Sequence, residues 1–242
     1  MAPISKAQIK LIRSLQHKKF RDELGLFVAE GQKCIDELKK GFELVMEVTP
    51  ENATEAEIAQ MSGLKTPQGV IAVFKKQIIN QKSQITNGEL TLALDGIQDP
   101  GNLGPIIRTC DWFGVKNIVC SNDTADCYNP KVVQATMGAL TRVQLTYTDL
   151  VPFLQEAKEK GANIIGTLLN GDNIYEKLST FDSRLSTLII MGNEGNGISQ
   201  AVRELITHPI RIPSYPPQAE TSESLNVAIA TAIVLAEFRR LG

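Results

Sequence analysis

Residues 90–114 read LTLALDGIQDPGNLGPIIRTCDWFG, and this stretch predicts the class of fold. Its first part, LTLALDGI, is a nearly continuous apolar run, which is typical of a parallel strand buried on both faces. A DPGN turn follows, and LGPIIRTCDWFG then reads as a helix that closes at Gly114. A strand, a short turn and a helix in this order form the repeating unit of an α/β fold.

The same alternation continues to the end of the chain. Strands are predicted at NIVCS, VQLTYT, NIIGTLL, TLIIMG and PIRIP. Helices are predicted at PKVVQATMGAL, LVPFLQEAKEKG, ISQAVRELI and SLNVAIATAIVLAEFRRL. Because the connections are short, residues 90–242 are expected to form one doubly wound parallel sheet.

A smaller α/β unit is predicted upstream, over residues 1–78. Residues 5–20 have helical apolar spacing, LFVAEG reads as a strand, and QKCIDELKKG reads as a helix with Gly41 as its C-cap. ELVMEVTP and GVIAVFKK read as strands on either side of the acidic helix ENATEAEIAQMSG. Residues 79–89 are polar and are expected to be a linker.

Composition restricts the function classes. The chain has 242 residues, is 43% hydrophobic and carries a net charge of −2, so a buried core is expected. Neither a signal peptide nor a membrane span is predicted, which favours a cytoplasmic protein without membrane contact. Four cysteines without a CxxC pair and two distant histidines argue against a metal site and against a histidine-centred catalytic group. An enzyme of this composition would depend on a cofactor.

Three loops that follow predicted strands contain residues suited to chemistry. The first includes Asn102, a plausible N-cap, and Arg108, which either lies on the surface with its stem on apolar neighbours or binds an anion. The second is IIMGNEGNGIS at 189–199, where Glu194 lies among glycines spaced GxxGxG instead of GxGxxG. It is either a flexible turn, with Glu194 capping the next helix, or a loop that lets a ligand approach the backbone.

The third loop, at 211–227, leads into the last helix. Ser222, Glu223 and Ser224 are candidate caps, which would place Asn226 in the first turn. The helix is apolar nearly all round, so it is expected to be buried in the core or against a second subunit. Packing explains the helix, but it does not explain why Ser224 and Asn226 both stand at its start.

Together these loops resemble the three motifs of the SpoU-type (TrmH-like) RNA ribose 2′-O-methyltransferases. The matching positions are Asn102, Arg108 and Phe113-Gly114, then Gly192, Glu194, Gly195 and Gly197, then Ile212-Pro213 and Ser224-Leu225-Asn226-Val227. The resemblance extends to YNPKVVQATMGAL and to the N-terminal segment, which looks like the opening of a small RNA-binding domain. The chain departs from the pattern at 214–222, a longer loop that contains Pro216 and Pro217.

The resemblance implies a fold, a cofactor and roles. It implies a trefoil knot in the catalytic domain, a homodimer, and S-adenosylmethionine as the methyl donor for an RNA ribose, in ribosomal RNA more than in transfer RNA. Catalytic roles are implied for Asn102, Arg108, Glu194, Ser224 and Asn226, and cofactor-binding roles for Thr167, Gly192, Ile212 and Leu225. Glu194 is expected to pair with Arg108 or with a polar group of the substrate.

Simple base chemistry by Arg108 is not expected, because a guanidinium stays protonated in proteins. Arg108 would instead grip a phosphate and stabilise the developing alkoxide. An RNA-binding protein without catalysis and a nucleotide-dependent oxidoreductase are the rival classes. The oxidoreductase would need a glycine-rich turn after the first strand of the sheet, where DGIQDPGN stands instead.

The first 21 residues contain six basic side chains and no acid. Such a segment is either a solvated helix face or a contact to the RNA backbone. The predicted RNA contacts are Arg13, Lys18, Lys19 and Arg21.

Overall fold

The computed structural model describes residues 2–77, 88–177, 185–216 and 224–241. The chain divides into two compact units. The small unit comprises residues 1–78 and 126–142, and the large unit comprises residues 79–125 and 143–242. The sequence, in contrast, predicts a small unit that ends at residue 78, with residues 126–142 in the large unit. Most of the predicted linker, residues 79–87, lies outside the described residues.

The small unit contains a three-stranded antiparallel sheet in the order β1-β3-β2. Its strands are β1 (Leu26–Glu30), β2 (Leu44–Val48) and β3 (Ile71–Lys75), and its helices are α1 (Lys6–Ser14), α2 (Lys18–Leu24), α3 (Gln32–Leu38), α4 (Glu55–Met61) and α6 (Pro130–Thr136), followed by a 3-10 turn at Ala139–Thr141. Apolar residues of α1 and α4 pack against the sheet in one core.

Residues 126–142 join this unit through aromatic and aliphatic contacts. Tyr128 packs its ring 4.8 Å from that of Phe27, which also stacks on Phe74 at 5.6 Å between centroids. The thiol of Cys34 lies 3.8 Å from the carbonyl oxygen of Val133. These contacts connect positions about 100 residues apart, so hydrophobic periodicity along the chain did not reveal them.

The single helix predicted over residues 5–20 is wrong, because the chain leaves the helix at Leu15 and resumes it after His17. The carbonyl groups of Leu15 and Gln16 accept hydrogen bonds from Nη1 of Arg21, at 2.9 and 3.0 Å. Gly41 is not the C-cap of α3, since that position is Lys39. A Cβ at Gly41 would lie 3.0 Å from Thr141, so close packing explains this glycine.

The large unit is a six-stranded parallel sheet in the order β6-β5-β4-β8-β7-β9, as the alternating pattern predicts. The strands are β4 (Leu90–Asp95), β5 (Asn117–Cys120), β6 (Gln144–Tyr147), β7 (Asn163–Asn173), β8 (Thr187–Gly192) and β9 (His208–Arg211). The helices are α5 (Pro100–Trp112), α7 (Leu150–Glu159), α8 (Ile174–Lys177), α9 (Gln200–Arg203) and α10 (Val227–Leu241).

Strands β4 and β8 are neighbours at the centre of this sheet, and Asp95 and Gly192 are register partners at their carboxyl ends. The first and second loops therefore leave the sheet side by side, at the edge where open α/β sheets bind ligands. Helix α5 packs against α10, which brings the third loop to the same region. Among the described residues, no helix is both long and apolar enough to cross a bilayer.

Candidate active site

Asp99 starts helix α5 and orients the first loop. Its side chain accepts from the backbone N–H of Gly101 at 2.8 Å, so Asp99 is the N-cap and the predicted cap, Asn102, lies inside the first turn. Asn102 is only 7% exposed. A buried amide needs partners. Nδ2 of Asn102 lies 3.5 Å from Oδ2 of Asp99 in its own loop, and its shorter hydrogen bonds are with the other two loops.

Asn226 is the N-cap of α10, whereas the sequence predicted it inside the first turn. Its Oδ1 accepts from the N–H groups of Ala228 and Ile229 at 3.0 and 3.3 Å. The predicted caps Ser222 and Glu223 lie outside the described residues, and Ser224 is exposed. Because Oδ1 is used by the cap, the Nδ2 group of Asn226 points away from the helix end and is free to donate elsewhere.

Nδ2 of Asn226 donates to Oδ1 of Asn102 at 2.8 Å and to Oε1 of Glu194 at 3.2 Å. Nδ2 of Asn102 donates to the same carboxylate oxygen. Thus the three motifs meet in one hydrogen-bonded junction, formed by two amides and one acid. The carboxylate satisfies both amides, and each amide in turn fixes the direction of the carboxylate.

Asn193 holds the second loop in shape, and the sequence did not single it out. Its Nδ2 donates to the carbonyl oxygen of Gly96 at 2.6 Å, while its Oδ1 accepts from the N–H groups of Gly195 and Asn196 at 2.8 and 3.2 Å. This side chain fastens the glycine loop to the loop after β4. An asparagine that follows a strand and precedes glycines is the signal that could have revealed it.

The second loop also requires a glycine at position 192. A Cβ there would lie 2.4 Å from the carbonyl carbon of Gly197 and from the nitrogen of Ile198, and this distance is too short for any side chain. At Gly195 the nearest atom to a Cβ would be Oδ1 of Asn193, at 3.5 Å. The tight return of the backbone over Gly192, and not flexibility, therefore accounts for this glycine.

Arg108 lies on the exposed side of α5, six residues after Asn102. Its side chain makes no hydrogen bond or ion pair with any residue that the structure describes. Glu194 and Arg108 make no hydrogen bond or ion pair with each other: Oε1 of Glu194 accepts from Asn102 and Asn226, and of the two partners expected for Glu194 the polar group of the substrate stays a prediction. The guanidinium is left accessible to an external anion.

Of the four predicted cofactor residues, Thr167 lies in β7, Gly192 ends β8, Ile212 follows β9 and Leu225 precedes α10. Thr167 ends the regular part of β7, and its Oγ1 donates to the carbonyl oxygen of Ile190 on β8 at 3.2 Å. The β7–β9 ladder then skips from Thr167 to Asp172, so β7 bulges between these residues. Leu169 in the bulge is 80% exposed, whereas Gly171 is buried against the backbone of Ile210. Ile212, which directly follows β9, is partly buried, and Leu225 is 47% exposed.

This set offers apolar side chains together with backbone groups at loop ends, which suits an adenosine moiety. Among the described residues, no group of histidine, cysteine and acidic side chains has the arrangement of a metal site. The proline-bearing loop at 214–222 is described only as far as residue 216.

The predicted RNA contacts of the small unit separate into two kinds. Arg13, Lys18 and Lys19 are exposed, and Lys19 lies 3.8 Å from the carboxylate of Glu23. Arg21 is only 1% exposed and its predicted RNA role is wrong. Its guanidinium donates to Oδ2 of Asp126 from Nε at 3.0 Å and from Nη2 at 2.7 Å, in addition to the carbonyl groups at the helix break.

Comparisons with known proteins agree with the two units and with the three-loop site. A model of the SpoU rRNA Methylase family matches residues 89–236, and one of the MRM3-like substrate binding domain matches residues 6–53. The chain is 28% identical to the 23S rRNA (guanosine(2553)-2′-O)-methyltransferase RlmP of Bacillus subtilis, over 96% of each chain. It is 35% identical to the 23S rRNA (guanosine-2′-O-)-methyltransferase RlmB of Bordetella pertussis, over 70% of this chain and 69% of that one.

Two solved structures resemble the whole chain. A TrmH-family protein from Porphyromonas gingivalis is 36% identical, with a TM-score of 0.88 and coverage of 100% of both chains. The rRNA methyltransferase of Sinorhizobium meliloti with bound AdoMet is 31% identical, with a TM-score of 0.83 over 99% of this chain and 97% of that one. The family model, which spans most of the chain, and the junction of its three motifs lead to one conclusion: the protein is a member of the SpoU rRNA methylase family.

Proposed function

We propose that this protein transfers a methyl group from S-adenosylmethionine to a ribose 2′-hydroxyl of ribosomal RNA. The observation that carries the proposal is the junction of Asn102, Glu194 and Asn226, which unites the three family motifs beside the carboxyl ends of β4 and β8. Relatives that act on 23S rRNA support ribosomal RNA over transfer RNA as the substrate.

The cofactor would be held by Thr167, Gly192, Ile212 and Leu225. When bound, S-adenosylmethionine supplies an electrophilic methyl group on a sulfonium. Exposed apolar side chains at Leu169 and Leu225 provide surface for an adenine ring, and the backbone ends of β7, β8 and β9 provide its hydrogen-bond partners. The fixed loop around Gly192 keeps these backbone groups in place before binding.

Arg108 has the properties of an anion-binding group. Its exposed guanidinium lacks a partner among the described residues, so it can bind a phosphate of the RNA through two N–H groups. The same charge stabilises the alkoxide that develops as the 2′-hydroxyl releases its proton to water. A neutral or smaller side chain at this position would lose both effects.

Glu194 and the two asparagines would position the ribose. Oε1 of Glu194 accepts from both amides, whereas Oε2 accepts from no residue that the structure describes and can accept from a polar group of the nucleotide. This free oxygen supports the second of the two roles expected for Glu194, a contact with a polar group of the substrate. Ser224, which is exposed two residues before Asn226, would contribute a hydroxyl to the same group.

The proposal extends to a homodimer in the cytoplasm and to a trefoil knot in the large unit. One exposed apolar side chain on each of two helices supports the dimer: Trp112 at the end of α5 is 85% exposed, and Ile229 near the start of α10 is 56% exposed. Likeness to TrmH-family structures supports the knot. Sedimentation analysis of the wild type and of Trp112→Glu tests the dimer, because a charge at this position should yield monomers.

Calorimetry and RNA mapping test the function. S-adenosylmethionine should bind the purified protein, and NAD should not. Ribose methylation of ribosomal RNA, mapped in cells with and without the gene, should differ at a defined nucleotide. Absence of S-adenosylmethionine binding would refute the methyltransferase proposal, and a site found only in transfer RNA would correct the substrate.

A further inference from the structure

The small unit contains an open groove of about 650 Å³ along helix α1. It is lined by residues of α1, of the break before α2, of α2 and of α4: Lys6, Ile9, Lys10, Arg13, Ser14, His17, Phe20, Glu57 and Gln60. The groove lies within one compact unit, and it shares no residue with the catalytic junction. Its lining differs from the predicted RNA contacts, of which it includes only Arg13.

The charge of the groove is mainly positive. Lys6, Lys10 and Arg13 follow one another at spacings of four and three residues, which places them on one face of α1. None of these three side chains has a hydrogen bond or an ion pair with a residue that the structure describes. Three cations on one face of an open groove, none of them paired with an acid that the structure describes, are suited to a chain of phosphates.

Glu57 is the acid that lines the groove, and its carboxylate is used locally. Oε2 of Glu57 accepts from the backbone N–H and from the hydroxyl of Thr54, both at 2.8 Å, which closes the capping box of α4. These hydrogen bonds lower the pKa of Glu57, so the group remains charged. Because this single carboxylate is hydrogen-bonded to the start of α4, the three cations of α1 remain in excess in the groove.

An aromatic pair stands beside the cations. Phe20 is 38% exposed, and its ring meets that of His17 edge-on, with centroids 6.4 Å apart and planes at 67°. Base–aromatic stacking and backbone cations together are how proteins bind unpaired nucleic acid strands. A base within a duplex is already stacked on both sides, so it cannot use such a ring.

We infer that this groove binds an unpaired stretch of RNA, with phosphates on Lys6, Lys10 and Arg13 and a base stacked on Phe20. The inference rests on the proposed function and names the surface and the form of RNA that it takes. It moves the main contact from α2 to α1, because Arg21 is buried and Lys18 and Lys19 do not line the groove.

Fluorescence anisotropy with the full-length protein tests this surface. The probes are a labelled twenty-nucleotide oligouridylate and a labelled RNA duplex of equal length. The wild type should bind the single strand more tightly than the duplex. Phe20→Leu keeps an apolar side chain but removes the ring, and it should weaken single-strand binding about tenfold. Lys10→Glu and Arg13→Glu should each reduce the salt slope by about one.

Lys33→Glu is the matched control, since Lys33 is exposed on α3, outside the groove, and changes the net charge equally. Equal losses in Lys33→Glu and Lys10→Glu would overturn the inference, as would tighter duplex binding or wild-type affinity in Phe20→Leu. Methyl transfer to ribosomal RNA is measured on the same preparations. If the wild type methylates RNA and the groove variants bind RNA as it does, only the inference about the groove is refuted. If binding depends on the groove but no methyl group is transferred, only the proposed function is refuted.

Discussion

Asn226 and Asn102, which are 124 residues apart, share a 2.8 Å hydrogen bond from Nδ2 of the first to Oδ1 of the second. The same Asn226 side chain caps α10, so the position of the helix start and the geometry of the junction are set by one amide. Variants that replace one or both polar atoms of Asn226 should therefore separate the effect on stability from the effect on catalysis.

Asn226→Asp should keep most of the free energy of unfolding and lose activity. The carboxylate can still cap α10, but it cannot donate to Asn102 and it repels Glu194. We expect methyl transfer to fall about 10- to 100-fold. Asn226→Ala should lose the cap as well, which lowers the free energy of unfolding by about 1 kcal/mol. Urea unfolding and single-turnover assays measure the two effects. Equal activity in Asn226→Asp and wild type would contradict the role of the amide.

Gly192→Ala should weaken cofactor binding, because its Cβ would clash with the backbone of Gly197 and Ile198 at 2.4 Å. The loop must shift, and overpacking of this kind costs about 1–3 kcal/mol. The dissociation constant for S-adenosylmethionine, measured by calorimetry, should rise about tenfold or more. Gly195→Ala is the control, since its Cβ has room, and it should change the affinity less than about twofold. Similar values for both variants would show that the tight return of the loop has no bearing on binding.

Much of the fold was predictable from local patterns. The parallel sheet follows from the apolar runs. Several helices are shorter than predicted, because PKVVQATMGAL is α-helical only over Pro130–Thr136 and ISQAVRELI only over Gln200–Arg203. Asp99 was missed as a cap because Asn102, three residues later, is an equally good capping residue by type. The helix predicted over 5–20 was wrong because Leu15 continues the apolar periodicity through the point where the backbone turns.

The site was predictable only as a set of loops. The resemblance to a family selected Asn102, Glu194 and Asn226, but their mutual hydrogen bonds depend on the order of β4 and β8 and on the packing of α5 against α10. A short window of sequence reveals neither the strand order nor the packing of these helices. Arg21 was misjudged for the same reason: among six basic residues it looks solvated, and its partner Asp126 is 105 residues away.

Arg108→Ala should slow methyl transfer strongly without affecting the binding of the cofactor. Loss of a charge that stabilises a developing oxyanion lowers rates about 10²- to 10³-fold. The affinity for S-adenosylmethionine should change less than about twofold, because Arg108 is not among the proposed cofactor residues. Lys158→Ala, an exposed change on α7, is the control. Activity of Arg108→Ala within a few-fold of wild type would show that another group binds the phosphate.

Cys34 should make stability depend on alkaline pH. Burial raises the pKa of its thiol from 9.0 to about 11. In the unfolded chain the thiol ionises near pH 9, so its contribution is complete below that pH and is lost as the pH rises to about 11. The loss amounts to about 2–3 kcal/mol. Urea midpoints of wild type and Cys34→Ala should differ less at pH 11 than at pH 8. A pH-independent difference would show that packing alone explains this residue.

Arg21→Met should destabilise the small unit and leave its RNA contacts unchanged at temperatures where it remains folded. The side chains of Arg21 and Asp126 are 2% and 10% exposed, and removal of one partner strands the other charge, at a cost of about 3–5 kcal/mol. Two carbonyl groups at the helix break would also lose their donor. Arg21→Met combined with Asp126→Asn should cost less than the sum of the two single changes, because the pair is coupled.

Thermal unfolding gives these free energies, and anisotropy with the oligouridylate gives the RNA affinity of the folded variant. Lys18→Met is the control, since it removes an exposed charge from the same helix. If Arg21→Met unfolded like wild type but bound RNA more weakly, Arg21 would be an RNA contact after all. We expect the opposite result, because the guanidinium donates to Asp126 and to the carbonyl groups of Leu15 and Gln16, all inside the small unit. A side chain that is 1% exposed and holds a helix break together cannot reach a phosphate of the RNA.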